Sequence, residues 1–520
     1  MCEQYLPLII DQVSSLCLSD SEETPQLPEL LIHYGLTIDE FTHLRSLLIQ
    51  KIDSSNTIFN ITSDCFYLPY LTHLKIIECH VANDKNSHQI INNIWRLPRL
   101  KHCTLDVIFE DGLTFAELPI ISTSIEYLLI KNVIFSSIGL THLLNSTSYL
   151  QHLCIQFGQS SNAELDTRHI IPSIISLKLN FDGSLAALTN ILQSMPNLQY
   201  FTLETSAINL NGNQWKEILN DYIPKIKIFR FLMKVLSIEH NNMEEQLDDL
   251  LKTFQTSFWL QDHQWFIRCD WPQHTKKVFI VYTLPYCFGN SCGVYSNRWS
   301  KSTCPNAHDY NSYNRVTNVL YKGPIDNSSL YRRCYPGIHR LTLRLPFDNN
   351  FWTIIPTLDH LTSLEVIETR ENSQSELQLK NLLNRAPRLE FLCIDVTLFL
   401  LLTQLNITHS SLRRLHLKHY RAKMNRYMNA TQCSILADSL IGRQCEVLRI
   451  RVENRAIVLD LVRTMHNLRA LNCECQDDIW NNNSLLFSKD ELIEWFRRVL
   501  PEKCSIRRQE PRLIQMWINR

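Results

Sequence analysis

Apolar residues recur along this chain in a six-letter phrase. The run "LTHLKI" sets Leu71, Leu74 and Ile76 at spacings of three and two, with polar residues between. The same spacing opens at Leu44, Leu100, Ile125, Leu150, Ile174, Leu198 and, more loosely, Ile226. It returns at Ile338, Leu361, Leu389, Leu412, Cys445 and Leu468, and "VSSLCL" at Val13 extends the first series toward the N-terminus. From Leu44 successive anchors lie 27, 29, 25, 25, 24, 24 and 28 residues apart; from Ile338 they lie 23, 28, 23, 33 and 23 apart. Within each phrase the last apolar pair alternates with a polar residue, as Leu74 and Ile76 do with Lys75. That alternation predicts a short strand with one apolar face. Between phrases, "SHQIINNIW" (87–95), "GLTHLLN" (139–145), "GSLAALTNILQSM" (183–195), "SELQLKNLLNRA" (375–386), "SILADSLI" (434–441) and "RAIVLDLVRTM" (455–465) carry helical periodicity. The prolines of "MPNL" and "APRL" end two of these helices ahead of the next strand.

A period of about two dozen residues with this phrase predicts an α/β fold, a right-handed leucine-rich repeat solenoid or horseshoe with a parallel concave sheet. Burying four or five leucine-sized groups contributes roughly 1.5–3 kcal/mol each. Ordering the coil's residues costs about 1–2 kcal/mol each, so a coil is stable only when stacked on its neighbours. Three segments are expected: an N-terminal arc at 1–235, an irregular interruption at 236–336, and a C-terminal arc with its cap at 337–520. The interruption holds a helix pattern (242–255), two strand-like runs (264–271 and 276–286) and a Tyr-, Asn-, Ser- and Cys-rich stretch from Cys287 to Tyr335. It either continues the stack in disguise or separates two arcs. "SKDELIEWFRRVL" (488–500) reads as a Ser-capped closing helix, followed by one or two strands.

Composition narrows the function. With 51 basic and 52 acidic side chains the net charge is −1, which removes the whole-molecule footprint expected for nucleic acid or an anionic membrane. "FLCIDVTLFLLLTQLNI" (391–407) is short for a bilayer and carries Asp395 and Gln404, so it predicts a strand and a helix. "MCEQYLPLIIDQ" lacks a basic segment ahead of an apolar core. The 17 cysteines fall mostly singly inside apolar phrases, where a reduced thiol acts as a small hydrophobe. An intracellular site, cytoplasmic or nuclear, is therefore expected.

Catalysis has little to work with. Only 11 glycines occur and no phosphate-cradling, nucleophile-elbow or H-E-x-x-H motif is present, so no catalytic residue and no cofactor is assigned. Cys287, Cys292, Cys304 and His308 form a metal-like string with spacings x4, x11 and x3, but its last two members would make a mixed pair where zinc usually takes matched ones. No metal is assigned, although a metal or enzymatic protein organised by 287–335 is one rival reading and a structural scaffold another. Cys473 and Cys475 share a strand face and read as core thiols.

The letters between the inward residues line the concave face. His73 and Lys75 stand there in the first arc. Arg340, Arg344, Arg414, His416, Lys418, Arg449 and Arg451 form a basic stripe in the second, interrupted by Glu365, Asp395 and Glu474. Such a stripe suits an acidic or phosphorylated segment of a partner protein.

"LPYLTHLKI", "LPRLKHCTL" and "MPNLQYFTL" resemble the irregular repeats of leucine-rich repeat proteins of the F-box type, over most of the chain. The resemblance implies that the repeats select a protein for ubiquitylation and that an adaptor of a cullin ligase is a second partner. It is expected to cover the repeats alone: "LPELLIHYGL" (27–36) imitates the opening of an F-box, but Val13 and Leu44 already begin repeat phrases, leaving no room for that helical module.

Overall fold

The computed structural model describes residues 8–21, 35–81, 85–109, 121–133, 137–157, 170–236, 243–272, 278–288, 291–295, 298–305, 313–323, 333–368, 373–404, 409–418, 427–478, 490–501, 504–509 and 511–518. Two compact units form. Residues 26–284 make up most of the first and residues 306–520 most of the second.

In the first unit each phrase forms a strand: β1 (Ser15–Ser19), β2 (Ser46–Gln50), β3 (His73–Val81), β4 (His102–Phe109), β5 (Tyr127–Val133), β6 (His152–Phe157), β7 (Ser176–Asn180), β8 (Tyr200–Thr205) and β9 (Ile228–Leu236). They pair in chain order, and the pairing is parallel throughout, phrase against phrase. Leu47, Leu74, Cys103, Leu128, Leu153, Leu177, Phe201 and Phe229 share one row. This register is forced, because a slip of one residue would turn every inward leucine to solvent. The row packs with Ile58, Ile94, Leu143, Leu188 and Trp215 from the intervening helices into one continuous core. The opposite strand face stays open.

Residues 236–336 contribute to both sheets. They supply β10 (Ile267–Pro272), β11 (Val278–Thr283), β12 (Ser291–Tyr295), β13 (Arg298–Ser302) and β14 (Asn318–Lys322). The first sheet continues past β9 in the order β11, β10, β13, with β11 antiparallel to both β9 and β10. The antiparallel turn ends the stack. Trp259, Trp265, Phe229 and Phe254 plug its interior, with ring centroids 4.9 to 6.3 Å apart. On the other face buried Asp270 accepts hydrogen bonds from Tyr282 and Ser300, both at 2.8 Å.

The second sheet begins with β12 and β14 and continues in parallel through β15 (Arg340–Leu345), β16 (Ser363–Glu368), β17 (Phe391–Asp395), β18 (Arg414–Lys418), β19 (Val447–Val452) and β20 (Ala470–Cys475). It closes with β21 (Ser505–Arg508) and β22 (Ile514–Trp517), antiparallel to each other, and β22 is antiparallel to β20. Helices Ser373–Arg385, Val396–Gln404, Ala430–Asp438 and Arg455–Thr464 alternate with these strands and bury Leu382, Leu398, Leu436 and Leu461 in its core. Cys473 and Cys475 lie in that core as well. Both units are therefore leucine-rich repeat coil stacks with mixed α/β architecture.

The closing helix differs from expectation in its cap. Helix Glu491–Val499 is started by Asp490, whose carboxylate accepts the Ile493 amide at 3.1 Å, and Ser488 lies outside the described residues. An aspartate at this position satisfies an orphan amide and complements the helix dipole. Helices that escape the sequence pattern include Ser55–Asp64, capped by Ser54, Gly212–Tyr222, held by a reciprocal Asn211–Gln214 box, and the short Phe351–Ile354.

Candidate functional site

Strand register gathers the basic letters of the second unit. On its open face one row runs Thr342, Glu365, Cys393, His416, Arg449, Asn472. Two residues further along the strands Arg344 pairs with Ile367, Asp395 with Lys418 and Arg451 with Glu474. The parallel strands place the phrase letters side by side at about 4.8 Å per strand. His416, Lys418, Arg449 and Arg451 thereby surround a cavity of about 190 Å³, with Glu474 and Leu513 completing its wall.

The cations are not left to solvent alone. Lys418 Nζ donates to Glu365 Oε1 at 2.7 Å, reaching across β17, and Arg451 Nε meets Glu474 Oε2 at 2.9 Å. The small side chain of Cys393, whose Sγ lies 3.9 Å from the same Glu365 oxygen, leaves room for that reach. Arg449 stands between neutral row neighbours, His416 and Asn472. Burial, followed by the charges of Arg449 and Lys418, pushes His416 down to about 3. It is a neutral imidazole near pH 7. The site thus offers three permanent cations, two of them positioned by carboxylates, and one neutral donor-acceptor ring.

The remaining expected residues lie elsewhere. Arg414 stands one row below the cavity and approaches Glu390 at 3.9 Å. Arg340 and Arg344 are exposed on β15, three strands from Lys418. His73 and Lys75 belong to the first unit's open face, on β3. Asp395 is buried and serves locally, accepting the Thr397 amide at 2.9 Å and its hydroxyl at 2.6 Å. Leu513 enters the wall from the closing segment just ahead of β22, a contribution that no repeat letter announces.

Of the cysteine string, His308 and the side chain of Cys292 lie outside the described residues. Among the described residues no three of His, Cys, Asp and Glu gather as a metal site would require. Among them, too, no helix is long and apolar enough to cross a membrane; 391–404 forms β17 and a nine-residue helix.

No family model matches the chain, and no curated protein does. Solved structures with detectable likeness include an internalin of Listeria monocytogenes, at 12% identity and a TM-score of 0.25, covering 88% of this chain and 86% of that one. TLR13 in complex with ssRNA13 follows at 12% identity and a TM-score of 0.24, covering 88% of this chain and 57% of that one. The mouse RP105/MD-1 complex stands at 9% and 0.23, covering 94% and 89%. The leucine-rich repeat assignment itself rests on the register and core described above.

Proposed function

We propose that the chain is a non-catalytic protein-interaction module that holds a partner on the open faces of its strands, as an intracellular protein of cytoplasm or nucleus. The observation that carries this reading is the cavity between β18, β19 and β20, where His416, Lys418, Arg449 and Arg451 converge on one concave spot. Two arginines two residues apart on one strand present forked donors to a single anionic group, and the glutamates beside them hold the side chains ready. An acidic or phosphorylated segment supplies the complementary charge. The thiols of Cys79, Cys103, Cys445 and Cys473, free and buried, support a reducing compartment.

The resemblance to F-box-type repeat proteins gives the finer form of this proposal: the captured protein is a substrate for ubiquitylation, and the adaptor of a cullin ligase accompanies it. The test is affinity capture from cell extract, wild type against a chain carrying Arg414→Gln, Lys418→Gln, Arg449→Gln and Arg451→Gln. A stoichiometric partner that drops about tenfold in the variant, about 1.4 kcal/mol, is the expected result. Equal capture by both chains would remove the site. Capture without the adaptor would remove the ligase role and leave the module.

A further inference from the structure

The open face of the first unit carries a row of rings that the cavity above does not use. His73, His102, Tyr127 and His152 stand opposite one another on β3, β4, β5 and β6, and all four are half-buried. The His73 and His102 rings are parallel within 8°, with centroids 4.3 Å apart. Tyr127 follows 5.6 Å from His102, and His152 follows 6.2 Å from Tyr127. The Thr72 hydroxyl lies 3.2 Å from the Arg45 carbonyl and 2.9 Å from His73 Nδ1, which holds that ring in place.

Two residues further along the strands lies a row containing Lys75, Lys178 and Arg230. None of the three meets a carboxylate among the described residues. The other charges facing the rings are already matched: Lys101 with Glu126 at 2.8 Å, Lys131 with Asp106 at 2.8 Å, and Lys51 with Glu78 at 3.7 Å. Arg45 flanks His73 from the turn before β2, and Cys154 faces the row from β6 with its thiol pushed up by burial, hence neutral. Lys75, on the strand of His73, and Lys178, on the strand next to that of His152, therefore flank the ring row with fixed positive charge, and Arg230 extends that charge to β9, three strands beyond that of His152. In the second unit, by contrast, Lys418, Arg451 and Arg414 all have glutamates at hand.

We propose that this face is an acid-strengthened docking strip for an extended, acidic segment of a partner protein. Lys75, Lys178 and Arg230 attract the segment at any pH, and the histidine row adds affinity as protons become available. The proposal rests on the reading of the strand faces as interaction surfaces and adds to it a site and a regulation.

The physical basis is linkage. Two imidazolium rings 4.3 Å apart repel, so the empty face resists a second proton on the stacked pair. Burial, then the charge of His73, holds His102 below its ordinary range, against the upward pull of Glu126. Carboxylates laid across the rings cancel that repulsion and favour protonation. By reciprocity, protonation then favours the carboxylates. Aspartate and glutamate of the segment stay ionised down to about pH 5, so a change of affinity between about pH 7.5 and about pH 6 comes from the face and not from the segment. Tyr127 spaces the row without titrating, since burial raises its phenol.

The experiment uses the full chain and a peptide of alternating Glu and Gly carrying a tetramethylrhodamine label, whose charge is constant over this pH range, with a Gln and Gly peptide as control. Binding is followed by anisotropy at fixed low ionic strength near pH 7.5 and near pH 6. Each measurement is repeated on the chain with the four substitutions of the second face, so that the other cavity makes no contribution. The Glu peptide should bind about tenfold tighter at the lower pH, the equivalent of one unit of proton linkage. His73→Gln with His102→Gln should reduce that ratio below about twofold. Lys75→Gln with Lys178→Gln should weaken binding at both pH values and keep the ratio. Titration of the imidazole Cε1–H resonances should shift upward when the peptide is present. Affinity that ignores pH in the wild type, or a ratio that survives in the histidine double variant, would overturn the switch. A Glu peptide that binds no better than the Gln peptide at either pH would overturn the strip, while partner capture through the second face would stand or fall separately.

Discussion

Arg508→Ala should lower the stability of the second unit by about 3–5 kcal/mol. The Arg508 guanidinium clamps three parts of the closing cap. It meets Asp478, just past β20, at 2.7 and 3.3 Å; Asp490, the cap of the last helix, at 2.5 and 3.0 Å; and the Pro511 carbonyl at 2.7 Å. The side chains of Arg508, Asp478 and Asp490 are only 11%, 3% and 18% exposed. Burial pulls the Asp490 carboxyl upward, but the Arg508 guanidinium and the Ile493 amide outweigh it and hold Asp490 below the usual carboxylate range. Removing the arginine takes its charge and its hydrogen bonds from two carboxylates that are largely out of water. The urea-unfolding midpoint should fall without a change in slope, and amides of β20 and β22 should exchange faster. A loss below about 1 kcal/mol would mean that the cap is held by its apolar contacts alone. The cap matters beyond stability, because Leu513 in the same segment forms part of the cavity wall.

The second unit should also lose stability on mild acidification, by about 2 kcal/mol between pH 6.5 and pH 5. His416 is pushed down to about 3 in the folded chain, by burial first and then by Arg449 and Lys418, from an ordinary value of 6.5. Between those limits the unfolded chain binds one more proton than the folded one. Stability therefore rises with pH across the window and is lost as pH falls, at about 1.4 kcal/mol per unit. Above about pH 6.5 neither state holds the proton and the dependence ends. The check is a pair of urea-unfolding series at the two pH values for wild type and His416→Gln, with stability of the variant declining by about 2 kcal/mol less. Parallel declines would show His416 to be hydrated and uncoupled from the two cations.

Much of this was legible in the sequence because a parallel coil stack translates one-dimensional spacing directly into three-dimensional rows. Once Leu74, Cys103 and Leu128 align in the text, Lys75, Thr104 and Leu129 must align on the open face, and the basic letters of the second series must meet. The helix at Ser55–Asp64 was hidden because its buried face uses Thr57, Ile58, Ile61 and Thr62, residues that equally suit a strand. Helix Gly212–Tyr222 was hidden because only Trp215, Ile218 and Leu219 give it a large apolar face. The Lys418–Glu365 pair was hidden for a different reason. It joins strands that are not neighbours, and it forms because Cys393 between them is short, a relation of volume and not of spacing. The ring row of His73, His102, Tyr127 and His152 lay in the column before each inward letter, and its side-by-side placement follows from the register.

The central claim is that recognition belongs to the open strand faces and not to the helical side. Photo-crosslinking in cells tests it most directly, with p-benzoylphenylalanine at Thr104 or Thr342 on the open faces and at Leu185 or Leu377 on exposed helix positions. The account predicts a discrete crosslinked protein from the strand positions and none from the helices. The same product arising from Leu185 or Leu377, with Thr104 and Thr342 silent, would contradict it.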